Sequence, residues 1–491
     1  MSRRDASQKP FVLYDASRPL AEQDCACAGD EPAPLALHSG GPASGDTDCA
    51  CAEASASAVA LEASGAWKQA PVLYRTPLAG DCEAVFNAGR PSGVAVLNRP
   101  AADVLRTFCQ PRPLRDETSR QLAMAGLLVP ADAPQDTRCP ADAPATLTAW
   151  LHITNACNLR CTYCYVQKDG AAMDEATGRS AVEAILRSAV RHGFRAVKLK
   201  YAGGEPTLNF ALVRRLHAHA SDQAEQQGLA LRETLITNGV NLADEVLAFA
   251  AEHGIRLAVS LDMCPGAHDS QRARPENGTY ERVRRNIERA VQHGLRPHVS
   301  ITVTGADDEV SADAVRFALG MGLPFNLNFV RPPDGHLSDA QIAGVIRSVR
   351  LAFAEMEANP PFYSLLGVLD RADFARAHSQ ACGAGRSYLV VDHLGRVSPC
   401  QMRMGRTVGD VGMPDPLAAV RAAFANPPVD ERGDCAECTW RYACGGGCPL
   451  LGKPLAGGRA GASPYCAAYR TLYPELIRLE GFRVLKLHGL C

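Results

Sequence analysis

With 491 residues the chain is too long for one core, and length alone suggests about two to four domains. A formal net charge of −2 gives no electrostatic basis for a nucleic-acid partner, and no run of about 18 apolar residues marks a membrane span. The opening "MSRRDASQKP" lacks the apolar segment of a secretion signal, so a cytoplasmic location is expected, where 19 cysteines point to metal or redox chemistry rather than to a disulfide framework.

Residues 1–65 are rich in Ala, Ser, Gly, Pro and Asp without sustained periodicity, and read as mostly disordered. They contain "DCACA" twice, at 24–28 and 48–52, and "FVLYDASRPL" at 11–20 is echoed by "PVLYRTPLAG" at 71–80. Three readings stay open: compositional drift, a soft-metal or cluster-delivery site made by Cys25, Cys27, Cys49 and Cys51, and a tethered peptide that mimics or is the substrate. Residues 66–130 read as a small separate domain. Strands are expected at Val72–Tyr74, Cys82–Asn87 and Gly93–Leu97, then helices at Ala101–Phe108 and Asp116–Leu128. That β-β-β-α-α order resembles the winged-helix leader-recognition domain of peptide-modifying enzymes; an accessory layer without that role is the other reading. A linker rich in Pro, Ala and Asp follows at 130–145.

From 146 to 335 the chain alternates β and α. Strands are expected at Thr146–Ile153, Ala196–Tyr201, Thr234–Thr237, Arg256–Asp262, His298–Thr304 and Phe325–Val330. Between the first two, Ala181, Val182, Ile185, Leu186, Ala189 and Val190 recur at helical spacing. Six strands alternating with helices imply a parallel sheet and an α/β fold. Directly after the first strand, "TNACNLRCTYCYVQ" sets Cys157, Cys161 and Cys164 within eight residues. A structural zinc site closes its tetrahedron with four protein ligands, and a cubane iron–sulfur cluster also takes four thiolates. Three thiolates would leave one iron open.

Cys157-x-x-x-Cys161-x-x-Cys164, with Tyr163 before the last cysteine, resembles the signature of the radical S-adenosylmethionine (SAM) enzymes. "YAGGEPTL" resembles the family's glycine-rich strand end, and the resemblance implies that Gly203, Gly204, Glu205 and Pro206 receive the amino group of SAM. It also implies an open partial (β/α)6 barrel with the chemistry at the C-terminal strand ends. There stand the cysteine loop, Gly203–Pro206, "TNG" with Asn238, and "SLD" with Ser260 and Asp262; Asn238, Ser260 and Asp262 are expected to contact the cofactor. "SLDMCPGAHDSQR" resembles the matching segment of peptide-modifying members at His268, Asp269 and Arg272 but departs at Met263 and Cys264. Cys264 is read either as a hydrogen donor or substrate holder near the cavity or as a buried inert thiol.

Further on come Cys382, Gly395 and Cys400, then Cys435-x2-Cys438-x5-Cys444-x3-Cys448-x17-Cys466. This spacing, at 375–470, resembles the SPASM extension, which carries auxiliary iron–sulfur clusters. The resemblance assigns Cys435, Cys438, Cys444 and Cys466 to one cluster and Cys382, Cys400 and Cys448 to another. Tyr388 stands where sulfatase-maturing members carry a further cysteine, which leaves the second cluster open or served by a distant group such as Cys139, Cys491 or a carboxylate. Residues 471–491 read as a C-terminal tail.

The expected activity is that of a radical SAM maturase. A [4Fe-4S] cluster would bind SAM through its open iron and yield a 5′-deoxyadenosyl radical, which takes hydrogen from a ribosomally made peptide to install a crosslink or an oxidised side chain. Two auxiliary iron–sulfur clusters would serve electron transfer or substrate binding. The expected partners are a precursor peptide or protein and a reductant such as flavodoxin or ferredoxin, with no nucleic acid and no membrane. Two alternatives stay open: a sulfatase-maturase-like, formylglycine-forming enzyme, weakened by Gln401 where those enzymes carry an aspartate, and a non-catalytic iron–sulfur electron-transfer protein.

Overall fold

The structure is a computed structural model that describes residues 9–15, 65–133, 144–273, 278–332, 335–452 and 461–491. Both Cys-Ala-Cys repeats and Cys139 lie outside the described residues.

Six parallel strands, Thr146–Thr154, Ala196–Gly203, Ala230–Thr237, Arg256–Ser260, His298–Val303 and Phe325–Phe329, lie side by side in chain order. In the first, Leu147, Ala149, Leu151 and Ile153 join the main core. Thr148, Trp150 and His152 alternate onto the opposite face, as the two-residue period of a strand dictates. The crossover helix Glu175–Arg191 brings Ala181, Val182, Ile185, Leu186 and Ala189 to the same core. A seventh strand, Tyr388–Val391, comes from the C-terminal region, pairs parallel with Thr146–Thr154 on its other side, and continues antiparallel into Arg396–Ser398 and Gly409–Asp410. Phe325–Phe329 and Gly409–Asp410 are the two ends of this nine-stranded sheet, so the barrel is partial.

The N-terminal region is built differently from the sequence expectation in three respects. First, Val12–Tyr14 is a strand and lies at one edge of a four-stranded antiparallel sheet, followed by Val94–Asn98, Cys82–Asn87 and Leu73–Pro77. The echoed "VLY" triplets therefore fall at its two opposite edges. Second, the helix expected over 116–128 ends at Met124. Gly126 turns the chain at φ +71°, where an added Cβ would stand 2.5 Å from Ser92 Oγ, and Leu128–Pro130 then pairs with a strand the sequence reading lacks, Ala66–Gln69. Third, the sheet is not separate from the rest: Ala84, Phe86, Ala88 and Val94 belong to the main core, and the rings of Phe86 and Phe374 stand 5.2 Å apart between centroids, as do those of Tyr74 and Trp440.

Residues 471–491 are no tail, because most of them lie in the helix Cys466–Leu487. Leu472, Leu476, Ile477, Leu479, Val484 and Leu485 are buried on more than one side of it, so no single apolar stripe marks the helix in the sequence. At Gly481 an added Cβ would stand 2.7 Å from the Ala84 Cβ, and the glycine lets the small sheet close onto the helix. Among the described residues no helix is long and apolar enough to cross a membrane.

Candidate active site and cysteine clusters

The loop that follows the strand Thr146–Thr154 carries Cys157, Cys161 and Cys164, all half-buried. A short antiparallel pair, Arg160–Cys161 with Arg272–Ala273, and a Thr162 N–H bond to Gln271 O at 2.8 Å tie it to the end of the fourth barrel strand. Behind it lies a buried hub. The Asp262 carboxylate accepts from Arg272 Nε at 2.8 Å and Nη2 at 3.0 Å, from the Tyr163 hydroxyl at 2.6 Å and from Thr302 N at 3.2 Å. The Arg272 guanidinium also lies 5.5 Å from the Tyr163 ring centroid. Burial alone would raise the Asp262 pKa, but the Arg272 charge and these hydrogen bonds outweigh it and hold the carboxylate below its usual range. Asp262 therefore holds the cysteine loop through Tyr163. Ser260, at the end of its strand, is half-buried and in register with Ser300.

The glycine-rich loop packs on the cysteine loop backbone to backbone. Gly204 N donates to Thr154 O at 2.6 Å and Glu205 N to Ala156 O at 2.8 Å. A Cβ on Gly203 would stand 2.4 Å from Thr154 O, and one on Gly204 2.3 Å from Ala156 O, so only glycine permits this approach. Pro206 opens the short turn Pro206–Asn209. The Glu205 carboxylate is buried and accepts from Thr207 N at 3.2 Å, the Thr207 and Thr237 hydroxyls at 2.7 and 2.8 Å, and Asn238 N at 2.8 Å. Burial raises its pKa, and the four donors oppose that shift. Glu205 thus ties two strand ends together. Asn238 reaches the thiols directly, its amide donating to Asn158 Oδ1 at 2.7 Å and to Cys157 Sγ at 3.8 Å.

Lys168 is a site residue that the sequence reading missed. Burial would lower its pKa, but Cys164, Cys157 and Cys161 together outweigh burial and raise it. A lysine four residues past a cysteine triplet is the only signal in the sequence, and nothing there says that it folds back. Two histidines flank the loop. His152, at 1% exposure, bonds through Nε2 to Asn155 Oδ1 at 2.8 Å, and His268, at 0%, accepts from Asp262 N at 3.1 Å. Burial lowers both to about 4, so both are neutral near pH 7.

The second group of thiols is gathered from three turns. Cys435, Cys438, Cys444 and Cys466 line one cavity together with Trp440, Tyr469, Arg470 and Tyr473. Burial pushes the Cys444 thiol up to about 12, against the opposing pull of the Tyr473 hydroxyl. Burial also raises Cys435 and Cys466, and the charges of Cys466 and Cys438 raise Arg470. Among the described residues no three His, Cys, Asp or Glu side chains converge as a single metal ion would require; the thiols ring a space instead.

The remaining cysteines divide. Cys382 shares a buried cluster with Trp150, Tyr388, Val390 and Phe424, and Asn426 Nδ2 donates to its carbonyl at 3.0 Å. Cys400 Sγ lies 3.5 Å from Gln401 Oε1, which also accepts from the Tyr388 hydroxyl at 2.9 Å. Cys448 is buried in the main core. Cys491 packs with Leu13, Cys82 and Val484 at the small sheet, a different cluster from that of Cys382. Cys264 is 2% exposed and its thiol donates to Asp308 O at 3.3 Å.

This geometry, a partial parallel barrel with a three-thiol loop at a strand end and a glycine-rich loop against it, agrees with the comparison by sequence. Residues 151–318 match the model of the Radical SAM superfamily. Over 176 residues the chain is 30% identical to GTP 3',8-cyclase 3 of Mycobacterium tuberculosis, covering 34% of this chain and 44% of that relative. Over 310 residues it is 21% identical to the sporulation killing factor maturation protein SkfB of Bacillus subtilis, covering 60% of this chain and 72% of that protein. The solved structure of native anSMEcpe with bound AdoMet and Cp18Cys peptide shares the fold at a TM-score of 0.52 and 18% identity, over 68% of this chain and 99% of that one. The chain spans less than half the length of the first curated relatives it matches.

Proposed function

We propose that the chain is a radical SAM enzyme that matures a peptide or protein, with Cys157, Cys161 and Cys164 holding a [4Fe-4S] cluster that leaves one iron for SAM. The observation that carries this reading is the three-thiol loop held backbone to backbone against Gly203 and Gly204. When bound, the cluster and SAM supply a 5′-deoxyadenosyl radical that removes a hydrogen atom from the substrate. The chain's own residues position and balance charge: Asp262, Arg272 and Tyr163 fix the loop, Asn238 donates to the Cys157 sulfur, and the Lys168 ammonium offsets thiolate charge. Gly203, Gly204 and Pro206 offer SAM a close backbone surface, and Ser260 stands at the next strand end but one.

Cys435, Cys438, Cys444 and Cys466 are proposed to hold a fully ligated auxiliary cluster. The ring of thiols around a cavity supports a polynuclear cluster, with one thiolate per corner, over a zinc ion, whose four ligands would converge at about 2.3 Å. Cys382, Cys400 and Cys448 are proposed for a second auxiliary cluster. Two comparisons favour a peptide substrate: the similarity to a maturation protein, and the fold shared with an enzyme solved with a peptide. The sulfatase-maturase alternative is weakened further by Gln401, whose amide oxygen accepts from Tyr388 and is no base. A cytoplasmic setting and a flavodoxin or ferredoxin reductant complete the proposal.

The test is anaerobic reconstitution with iron and sulfide, reduction by dithionite, and assay for 5′-deoxyadenosine. Formation of 5′-deoxyadenosine that depends on Cys157, Cys161 and Cys164 is the expected result. A fully reconstituted chain that cleaves no SAM would sink the enzyme reading and leave the electron-transfer one.

A further inference from the structure

The strand Val12–Tyr14 reaches its sheet from far away in sequence, with Val12, Leu13 and Tyr14 opposite Leu97, Val96 and Ala95. Three devices hold it. Along the backbone it pairs with the strand Val94–Asn98. At its start the Asn98 side chain brackets it, Oδ1 accepting from Phe11 N at 3.1 Å and Nδ2 donating to Lys9 O at 2.8 Å. At its end Asp15 forms an ion pair with Arg483, a guanidinium at 0% side-chain exposure on the C-terminal helix. Side chains alternate in the usual two-residue way. Val12 enters the core of the small domain beside Trp67 and Leu97, and Leu13 turns to the opposite face against Val96, Val484 and Leu485.

The Asn98 amide oxygen, Arg483 and the strand Val94–Asn98 each have another partner as well. Asn98 Oδ1 accepts from Ala101 N at 3.1 Å and so caps the helix Arg99–Thr107 independently. Arg483 keeps a bidentate pair with Glu480, at 2.9 and 2.7 Å, and Glu480 is itself fixed by the Ser364 hydroxyl at 2.7 Å and Leu365 N at 2.9 Å. The strand Val94–Asn98 stays paired on its far side with Cys82–Asn87. Departure of residues 9–15 would therefore leave no buried cap or charge unpaired. It would leave a bare sheet edge, two apolar recesses and one guanidinium, which is a template for adding an extended peptide.

We infer that this edge is a docking seat for an extended peptide that carries two consecutive apolar residues, an aromatic and then a carboxylate, and that residues 11–15, Phe-Val-Leu-Tyr-Asp, are a built-in competitor for it. Main-chain pairing supplies the affinity, the Val12 and Leu13 recesses select apolar side chains, and Arg483 selects the carboxylate. The seat does not depend on the maturation reading, whereas identifying its external occupant as a precursor peptide does. If that identification holds, the peptide runs from Arg483 toward Cys466, which along the C-terminal helix is about 26 Å at 1.5 Å per residue, a span that about eight extended residues cover.

The probe is the synthetic peptide Lys-Pro-Phe-Val-Leu-Tyr-Asp, residues 9–15, carrying a fluorophore, with binding read by polarisation. The full chain carrying Leu13→Asp and Asp15→Asn, which loosen its own strand, should bind this probe at least about tenfold more tightly than the unchanged chain, because a tethered segment competes at an effective concentration that reaches the millimolar range. The same peptide with Asn in place of Asp should bind the loosened chain about tenfold more weakly, since it removes the second carboxylate that Arg483 pairs with beside Glu480. Equal binding by the two chains, or by the two peptides, would overturn the proposal. Should the loosened chain fail to fold, hydrogen exchange on the unchanged chain decides: amides of 9–15 should exchange at least about a hundredfold faster than those of 82–87, and equal protection would show a permanent strand. None of these readouts involves SAM, so failure here and failure of the maturase reading are told apart.

Discussion

The two main cysteine groups differ in how the chain holds them. Cys157, Cys161 and Cys164 sit on one continuous loop, half-buried, steadied by side chains reaching in from neighbouring strand ends and accompanied by the Lys168 ammonium. Cys435, Cys438, Cys444 and Cys466, equally half-buried, come from separate turns and a helix start and line a cavity with the rings of Trp440, Tyr469 and Tyr473. A loop on a strand end leaves one side for a ligand to enter. A cavity walled by aromatic rings suits a fully ligated group whose surroundings tune it.

The strongest way to break that contrast is to remove the thiols by group. Replacing Cys157, Cys161 and Cys164 together with Ala should take SAM cleavage to background while iron held by the C-terminal cysteines persists; Cys435→Ala should do the reverse, sparing SAM cleavage and stopping substrate modification. Iron analysis and 5′-deoxyadenosine yield measure both, and retained cleavage in the triple variant would mean that the active cluster lies elsewhere.

Acid should separate the groups next. His152 and His268, both at the first site, are held near 4, while an unfolded histidine titrates near 6.5. Between those values the unfolded chain binds more protons, so the stability these histidines lend is present above about pH 6.5 and is lost as pH falls toward 4, by roughly 3 kcal/mol each. Thermal melting of the metal-free chain should drop across this window, and the double variant His152→Asn, His268→Asn should flatten the drop. On acidification, hydrogen exchange should rise around 152–164 before it rises around 435–444.

Gly204→Ala tests the backbone contact. An added Cβ would stand 2.3 Å from Ala156 O, and backbone cannot swing aside as a flexible side chain can. A loss of about 2–4 kcal/mol is expected, with iron lost from the first site only. The smallest effect belongs to Tyr473→Phe, which deletes the hydroxyl that acts on the Cys444 thiol, at a cost of about 1 kcal/mol or less. It should shift the electron-paramagnetic signal of the C-terminal cluster alone, and an unchanged signal would separate Tyr473 from that cluster.

The barrel was legible because its signals are local. Strand residues alternate or run apolar between turn residues, helix residues recur at three to four, and the six expected strands agree with the observed ones to within a few residues at each end. Cysteine spacing likewise announced both thiol groups, since ligands supplied by one loop or by adjacent turns must stand close in sequence. What only the tertiary structure decided was what surrounds them. Glu205 and Asp262 read as cofactor contacts, and the structure adds the groups that hold their carboxylates: Thr207, Thr237 and Asn238 in one case and Arg272, Tyr163 and Thr302 in the other. The C-terminal helix was missed because residues buried on several sides carry no stripe. Val12–Tyr14 was missed as a strand because three residues hold no periodicity, and their place is set by Asn98 and Arg483, which lie 86 and 471 residues beyond Val12 in a sequence that records neither distance as a contact.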